Sequence, residues 1–212
     1  MATSRASGPS SIPARTRPST DGLDRRRRAR QPPRRIRGEI CVKPLSAAVA
    51  ALILVAQPVS AQTVILVRHA EKVDASADPL LSEPGVMRAQ ALAAVTAQAD
   101  LTHVYSTPLQ RTRLTAAPAA EAAGLTVETL DLSGGGAAHV ARTAETLRGL
   151  DADDVVLVVG HSNTVPAIAR ALGVAEVADM SDCEYDRLIV IELKEGAARA
   201  VTGRYGAPSE PC

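Results

Sequence analysis

The chain has 212 residues, 46% of them hydrophobic, enough to bury a core, and its formal net charge of +1 averages two unlike regions. Of the 24 basic residues, 11 precede Val42, whereas Gln62 to Cys212 carries 12 basic against 20 acidic side chains, a formal charge of −8. So acidic a body excludes general nucleic-acid or anionic-membrane binding, and with no Trp, no Phe and three Tyr it offers few stacking platforms for bases.

Residues 1–41, rich in Arg, Pro and Ser, read as a disordered basic extension. Lys43, the apolar run Leu45 to Ala56 and the small residues Val59, Ser60 and Ala61 then have the layout of a secretory signal peptide over 42–61, cut after Ala61. The apolar run is about a dozen residues, short of the roughly 20 that a spanning helix needs, so no stable membrane anchor is expected after cleavage. A leader begins near the N-terminus of its chain, so Val42 is read as the start of synthesis and 1–41 as not native. Residues 62–212 are then the exported domain, periplasmic or secreted.

Thr63 to Val67 is a short, β-branched apolar run, as expected of a strand covered on both faces. Ser82 can cap a helix that carries Pro84 in its first turn and runs through Ala99. A strand follows at His103 to Ser106, then a helix from Pro108 to Ala123, kinked at Pro118 and ended by Gly124, then a strand at Leu125 to Leu130. After Gly134 to Gly136, read as a connector rather than an anion nest, comes a helix to Arg148. A strand at Val155 to Val159, a helix from Ser162 to Leu172 and strands at Leu188 to Leu193 and Ala198 to Val201 complete the chain. Strands alternating with helices predict a single three-layer α/β/α domain with a mainly parallel sheet, whose ligands bind beyond the carboxyl ends of the strands.

Chemistry-bearing residues gather at those ends. Arg68 and His69 follow the first strand, Gly160 and His161 follow Val155 to Val159, and Arg111 lies in the first turn after Tyr105 to Pro108. A neutral imidazole is a good nucleophile, and guanidinium forks match phosphate oxygens while staying charged at any relevant pH. A second imidazole, protonated, can donate to oxygens that gain charge in a loose phosphoryl-transfer transition state. The backbone N–H groups of Ser162 and Asn163, opening the next helix, add anion affinity. His103 and His139 lack such company and read as structural or surface residues, and Arg113, two residues past Arg111, as a surface ion-pair partner. Four histidines and no cysteine cluster give no zinc spacing. Cys183 and Cys212 are either bridged, pinning the C-terminal tail, or two free thiols.

Three stretches, VILVRHAE (Val64 to Glu71), VYSTPLQRTRLTA (Val104 to Ala116) and VLVVGHSNT (Val156 to Thr164), together with Leu81, Ser82 and Gly85, resemble the histidine phosphatase superfamily, the phosphoglycerate-mutase-like proteins. That resemblance implies His69 as a phosphorylated nucleophile, Arg68 and Arg111 as phosphate ligands and His161 as the second pocket histidine, with no metal or other cofactor. The family's acidic residue falls in an insertion that is barely present here. Asp131, at a strand end, and Glu71, two residues past the nucleophile, are the two candidates for protonating the leaving oxygen, Asp131 ranked first. The expected function is hydrolysis of a small phosphomonoester or of a phosphorylated glycan or protein. The alternatives are a phosphate- or phosphosugar-binding pseudoenzyme and a mutase-type phosphotransferase, the latter disfavoured by the compact chain.

Overall fold

A computed structural model describes residues 61–194 and 196–212. The basic extension and all of the leader but Ala61 lie outside the described residues. Strand β1 (Gln62–Arg68) leads to helix α1 (Glu83–Thr96), then β2 (His103–Ser106), α2 (Gln110–Ala123), β3 (Val127–Thr129), α3 (Gly135–Arg148), β4 (Val155–Gly160), α4 (Val165–Ala171), β5 (Arg187–Lys194) and β6 (Ala197–Arg204). One six-stranded sheet has the order β3-β2-β4-β1-β5-β6. The first four strands in that order pair in parallel, and β5 and β6 run antiparallel to their neighbours.

Side chains alternate across this sheet, and the alternation builds two cores. Val64 and Leu66 of β1, with Val156 and Val158 of β4, meet α3 and α4 through Leu147, Val165, Ile168 and Leu172. Ile65 and Val67, with Leu157 and Val159, meet α1 and α2 through Leu92, Ala116, Ala119 and Ala120. Helices on both faces give the three-layer α/β/α arrangement that the alternating pattern predicts, with a mainly parallel sheet.

Local signals set most boundaries. Ser82 caps α1, its Oγ accepting from Gly85 N at 3.3 Å, and Gly124 ends α2 in the left-handed conformation at φ 69°. Gly85 is needed for space: a Cβ there would stand 2.2 Å from the Glu71 carbonyl oxygen, so the turn after β1 could not close against α1. Helix α2 starts at Gln110 rather than Pro108, where Asp78, from the loop between β1 and α1, accepts from Gln110 N at 2.7 Å and supplies the cap. It continues past Pro118 as one helix. Strand β3 is shorter than its apolar run, and α4 begins three residues later than expected. Strands β5 and β6 are longer than expected because they pair with each other over eight residues, which hydropathy at an exposed edge does not reveal.

Two topological facts place the site. Parallel pairing sets Arg68 opposite Gly160 and Ser106 opposite Val159, so β1, β4 and β2 end at one rim. Antiparallel pairing sets Val67 opposite Leu188 and Arg187 opposite Arg204, so the segment entering β5 and the tail leaving β6 arrive at that same rim.

Candidate active site

His69 and His161 follow the paired residues Arg68 and Gly160, and His69 N donates to Gly160 O at 2.9 Å. Their rings come together, centroids 5.4 Å apart and edge-on. Gly160 allows this turn: a Cβ would lie 3.0 Å from Val165 Cγ2 and 3.1 Å from Thr164 Oγ1. Arg68 is buried beside His69, and Arg111 reaches in from the first turn of α2, close enough for its charge to bear on both rings. The four residues expected to converge do so.

The tautomer of His69 follows from its neighbours. Its Nδ1 lies 2.8 Å from Ala70 O, an acceptor only, so Nδ1 carries the proton and donates, leaving the Nε2 lone pair free. That peptide is itself held, because Ala70 N donates to Thr115 Oγ1 at 2.9 Å while Thr115 Oγ1 donates to Arg111 O at 2.7 Å. One α2 hydroxyl thus fixes both the turn that carries His69 and the backbone of Arg111. His161 has its own support: Nε2 lies 3.1 Å from Thr107 Oγ1, which lies 2.7 Å from Thr112 Oγ1.

Burial pushes the His69 pKa down to about 3, helped by the charges of Arg68, His161 and Arg111 and opposed by the bond to Ala70 O. Burial likewise lowers His161 to about 4, with Arg111, His139 and Arg68 adding to it. Both rings are therefore neutral at neutral pH, which suits His69 as a nucleophile. The protonated form in which His161 could donate to phosphate oxygens is therefore not its resting form, and its donor is a neutral N–H. An unfolded chain takes up these two protons near 6.5, whereas the folded chain waits until about 4 and about 3. The unfolded state thus binds more protons across that window, so stability rises with pH up to about 6.5 and is lost as pH falls toward 3. Ring-proton NMR from about pH 8 to pH 5 is expected to show no midpoint for either histidine, with the melting temperature falling over the acid half. A ring that titrates near 6.5 would contradict this burial.

Arg68 is gripped from the β5 side. Its Nη1 donates to three carbonyl oxygens, those of Ser181, Asp182 and Glu184, at 3.1, 2.8 and 3.1 Å, and its guanidinium lies 4.0 Å over the Tyr185 ring. Nε is buried without a protein partner among the described residues, an orphaned donor beside His69 that suits an anion. The loop is in turn stapled: Cys183 and Cys212 form a disulfide, Cα atoms 5.4 Å apart, and Ser209 Oγ accepts from the Tyr185 and Asp186 amides at 2.8 and 3.0 Å. This settles the cysteine alternatives in favour of pairing.

Several expected groups are used otherwise. Glu71 is engaged by Arg88, whose Nε and Nη2 donate to its carboxylate at 2.7 to 3.0 Å, with Nη1 on Tyr205 O. It braces the turn after His69, and its carboxylate, engaged by Arg88, is not free to act as an acid. Asp131 is exposed, its carboxylate held by Ser133, whose hydroxyl and amide keep its pKa below the usual carboxylate range, and paired with Arg142 at 3.7 Å. A carboxyl whose pKa is lowered is the poorer proton donor for it. Ser162 and Asn163 lie in a turn ahead of α4, not in its first turn, and Ser162 Oγ donates to Asp182 Oδ1 at 3.1 Å. Arg111 Nη1 donates to Ala77 O at 3.3 Å and stands 3.9 Å from Asp78. Arg113 is exposed and has no ion pair among the described residues. His139 is buried, its Nδ1 3.0 Å from Asp131 O, and His103 stacks on Tyr105, both structural as expected.

Sequence reasoning missed Thr107, Thr115, Asp182 and Tyr185. Thr115 was within reach, four residues from Arg111 and so on the same helix face. Asp182 and Tyr185 required knowing that β5 runs antiparallel and enters at the active rim.

The family model for the histidine phosphatase superfamily (branch 1) matches residues 64–132, which carry His69, Arg68 and Arg111 and stop short of His161. No curated protein sequence matches. Solved structures that match include one described as a candidate phosphohistidine phosphatase SixA from Nakamurella multipartitia, 25% identical with a TM-score of 0.50, covering 72% of this chain and 99% of that one. Another is the protein histidine phosphatase SixA complexed with tungstate, 20% identical, TM-score 0.54, covering 67% and 96%. A third is a mycobacterial glucosyl-3-phosphoglycerate phosphatase, 18% identical, TM-score 0.52, covering 69% and 99%. With the shared fold, the matched segment and two histidines and two arginines at one rim, this chain is similar over residues 64–132 to the histidine phosphatase superfamily.

Proposed function

We propose that the chain is an exported, metal-independent phosphomonoesterase that passes a phosphoryl group through His69. The observation that carries this reading is the buried, neutral His69, its Nδ1 proton committed to Ala70 O, facing His161 at 5.4 Å with Arg68 and Arg111 alongside.

In the first step the His69 Nε2 lone pair attacks phosphorus and the P–O bond to the leaving group breaks, the leaving oxygen taking a proton from water at the open rim. Arg68 Nε and the Arg111 fork hold the equatorial oxygens, and His161 donates to the charge that spreads over them. The product is a phosphohistidine on Nε2 and a free alcohol. In the second step water attacks phosphorus, the P–N bond breaks back onto Nε2, and the water's proton leaves with inorganic phosphate or to solvent. His69 ends as it began.

The leader-like segment before residue 62 and the Cys183–Cys212 bridge, a bond that persists in oxidising compartments, support export. The solved relatives described as phosphatases support a small phosphorylated compound or a phosphorylated protein as substrate. Hydrolysis of p-nitrophenyl phosphate with excess chelator tests the reading: undiminished turnover is expected, and a requirement for added divalent metal would overturn metal independence.

A further inference from the structure

A cleft of about 730 Å³ opens beside the phosphate pocket, and two of its walls belong to that pocket. Tyr185 lines it while stacking on Arg68, its ring centroid 6.1 Å from that of His69. Asp182 lines it while giving its carbonyl to Arg68 Nη1 and accepting at Oδ1 from Ser162, the neighbour of His161. A leaving group on a phosphate seated against His69 therefore has this cleft next to it. The volume is of the size that small-molecule sites take, and Pro84, Met87, Pro208 and Pro211 give it an apolar body.

Its charge is one-sided. Three carboxylates line it, Glu71, Asp182 and Glu210, against a single cation, Arg88; Arg88 and Glu71 pair with each other, which leaves Asp182 and Glu210 with no cation among the cleft's lining residues. The phosphate pocket next door carries Arg68 and Arg111. A bound ester thus meets positive charge at its phosphate end and negative charge at its leaving-group end, inside a domain whose overall charge is also negative. A leaving group with a carboxylate or a second phosphate is repelled there, and one with an ammonium group is attracted.

We propose that this cleft receives the leaving group and selects phosphomonoesters of amino alcohols, zwitterionic substrates with an ammonium-bearing, partly apolar alcohol; the inference rests on the phosphatase reading for what is cleaved. The ammonium sits among the carboxylates while the phosphate is held by the arginines, so the site matches the substrate's dipole.

The test uses three non-hydrolysable phosphonates of one length: 3-(trimethylammonio)propylphosphonate, its neutral carbon isostere 4,4-dimethylpentylphosphonate, and 4-phosphonobutyrate. Dissociation constants come from calorimetry at low salt, with p-nitrophenyl phosphate hydrolysis followed in parallel. The ammonium compound is expected to bind about tenfold tighter than its isostere, and the carboxylate more weakly than either. Glu210→Lys should compress the first ratio toward one, as should high salt. If the aryl ester is hydrolysed while the three phosphonates bind equally or not at all, the cleft assignment is wrong. If they bind in the expected order but nothing is hydrolysed, the cleft assignment stands and the enzyme reading falls.

Discussion

Replacing His69 with alanine is expected to lower kcat for an aryl phosphate by on the order of 10⁴-fold or more, because the variant has no atom to accept the phosphoryl group. The loss should fall on kcat more than on affinity for a tetrahedral oxyanion. Arg68 owes its position to the Ser181, Asp182 and Glu184 carbonyls and to Tyr185, not to His69, and Arg111 is placed by α2. Vanadate binding should therefore survive the substitution when turnover does not. Because burial already keeps the ring neutral, alanine removes no buried charge, and the fold should tolerate it. Steady-state kinetics with vanadate titration check both parts, and activity within tenfold of the parent would remove His69 from the mechanism.

Opening the Cys183–Cys212 bridge by the double change Cys183→Ser and Cys212→Ser should cost between about 3 and 4 kcal/mol of stability, from a loop closed over a sequence separation of 29. The functional effect is the more telling one. The bridge pins the segment whose carbonyls hold Arg68 Nη1, and the tail also supplies Ser209, which accepts from the Tyr185 and Asp186 amides. With the tail released, those carbonyls are no longer fixed and Arg68 gains freedom that phosphate must then remove on binding. KM for p-nitrophenyl phosphate is expected to rise several-fold at a temperature where the variant is still folded, with kcat changed less. Chemical denaturation and kinetics on the same sample separate the two effects. An unchanged KM in a destabilised protein would make the bridge a staple of the fold alone.

How much of this was legible in the sequence depended on how local each determinant was. Thr63 to Val67 and Val155 to Val159 announce buried parallel strands, and the polar residues directly after them fall on the rim because parallel strands end together. Ser82, Gly85 and Gly124 mark helix ends by the same short-range logic. Asp131 and Glu71 were less tractable, since their availability depends on Ser133 and Arg142 in one case and Arg88 in the other. Arg88 lies 17 residues from Glu71, and only the closure of the turn against Gly85 brings them together. The walls of the pocket were hidden for a further reason. Ser181 to Tyr185 has no periodicity of its own, and its place beside Arg68 follows from the antiparallel entry of β5, a matter of topology.

The phosphohistidine itself offers the most direct test. Wild-type protein mixed with an aryl phosphate, quenched in alkali where P–N bonds persist and digested for mass spectrometry, should carry one phosphoryl group on the peptide containing His69. Phosphorus NMR of the quenched protein should place it on Nε2. A steady-state turnover that leaves no modified histidine, or a phosphoryl group found on His161 instead, would contradict the mechanism.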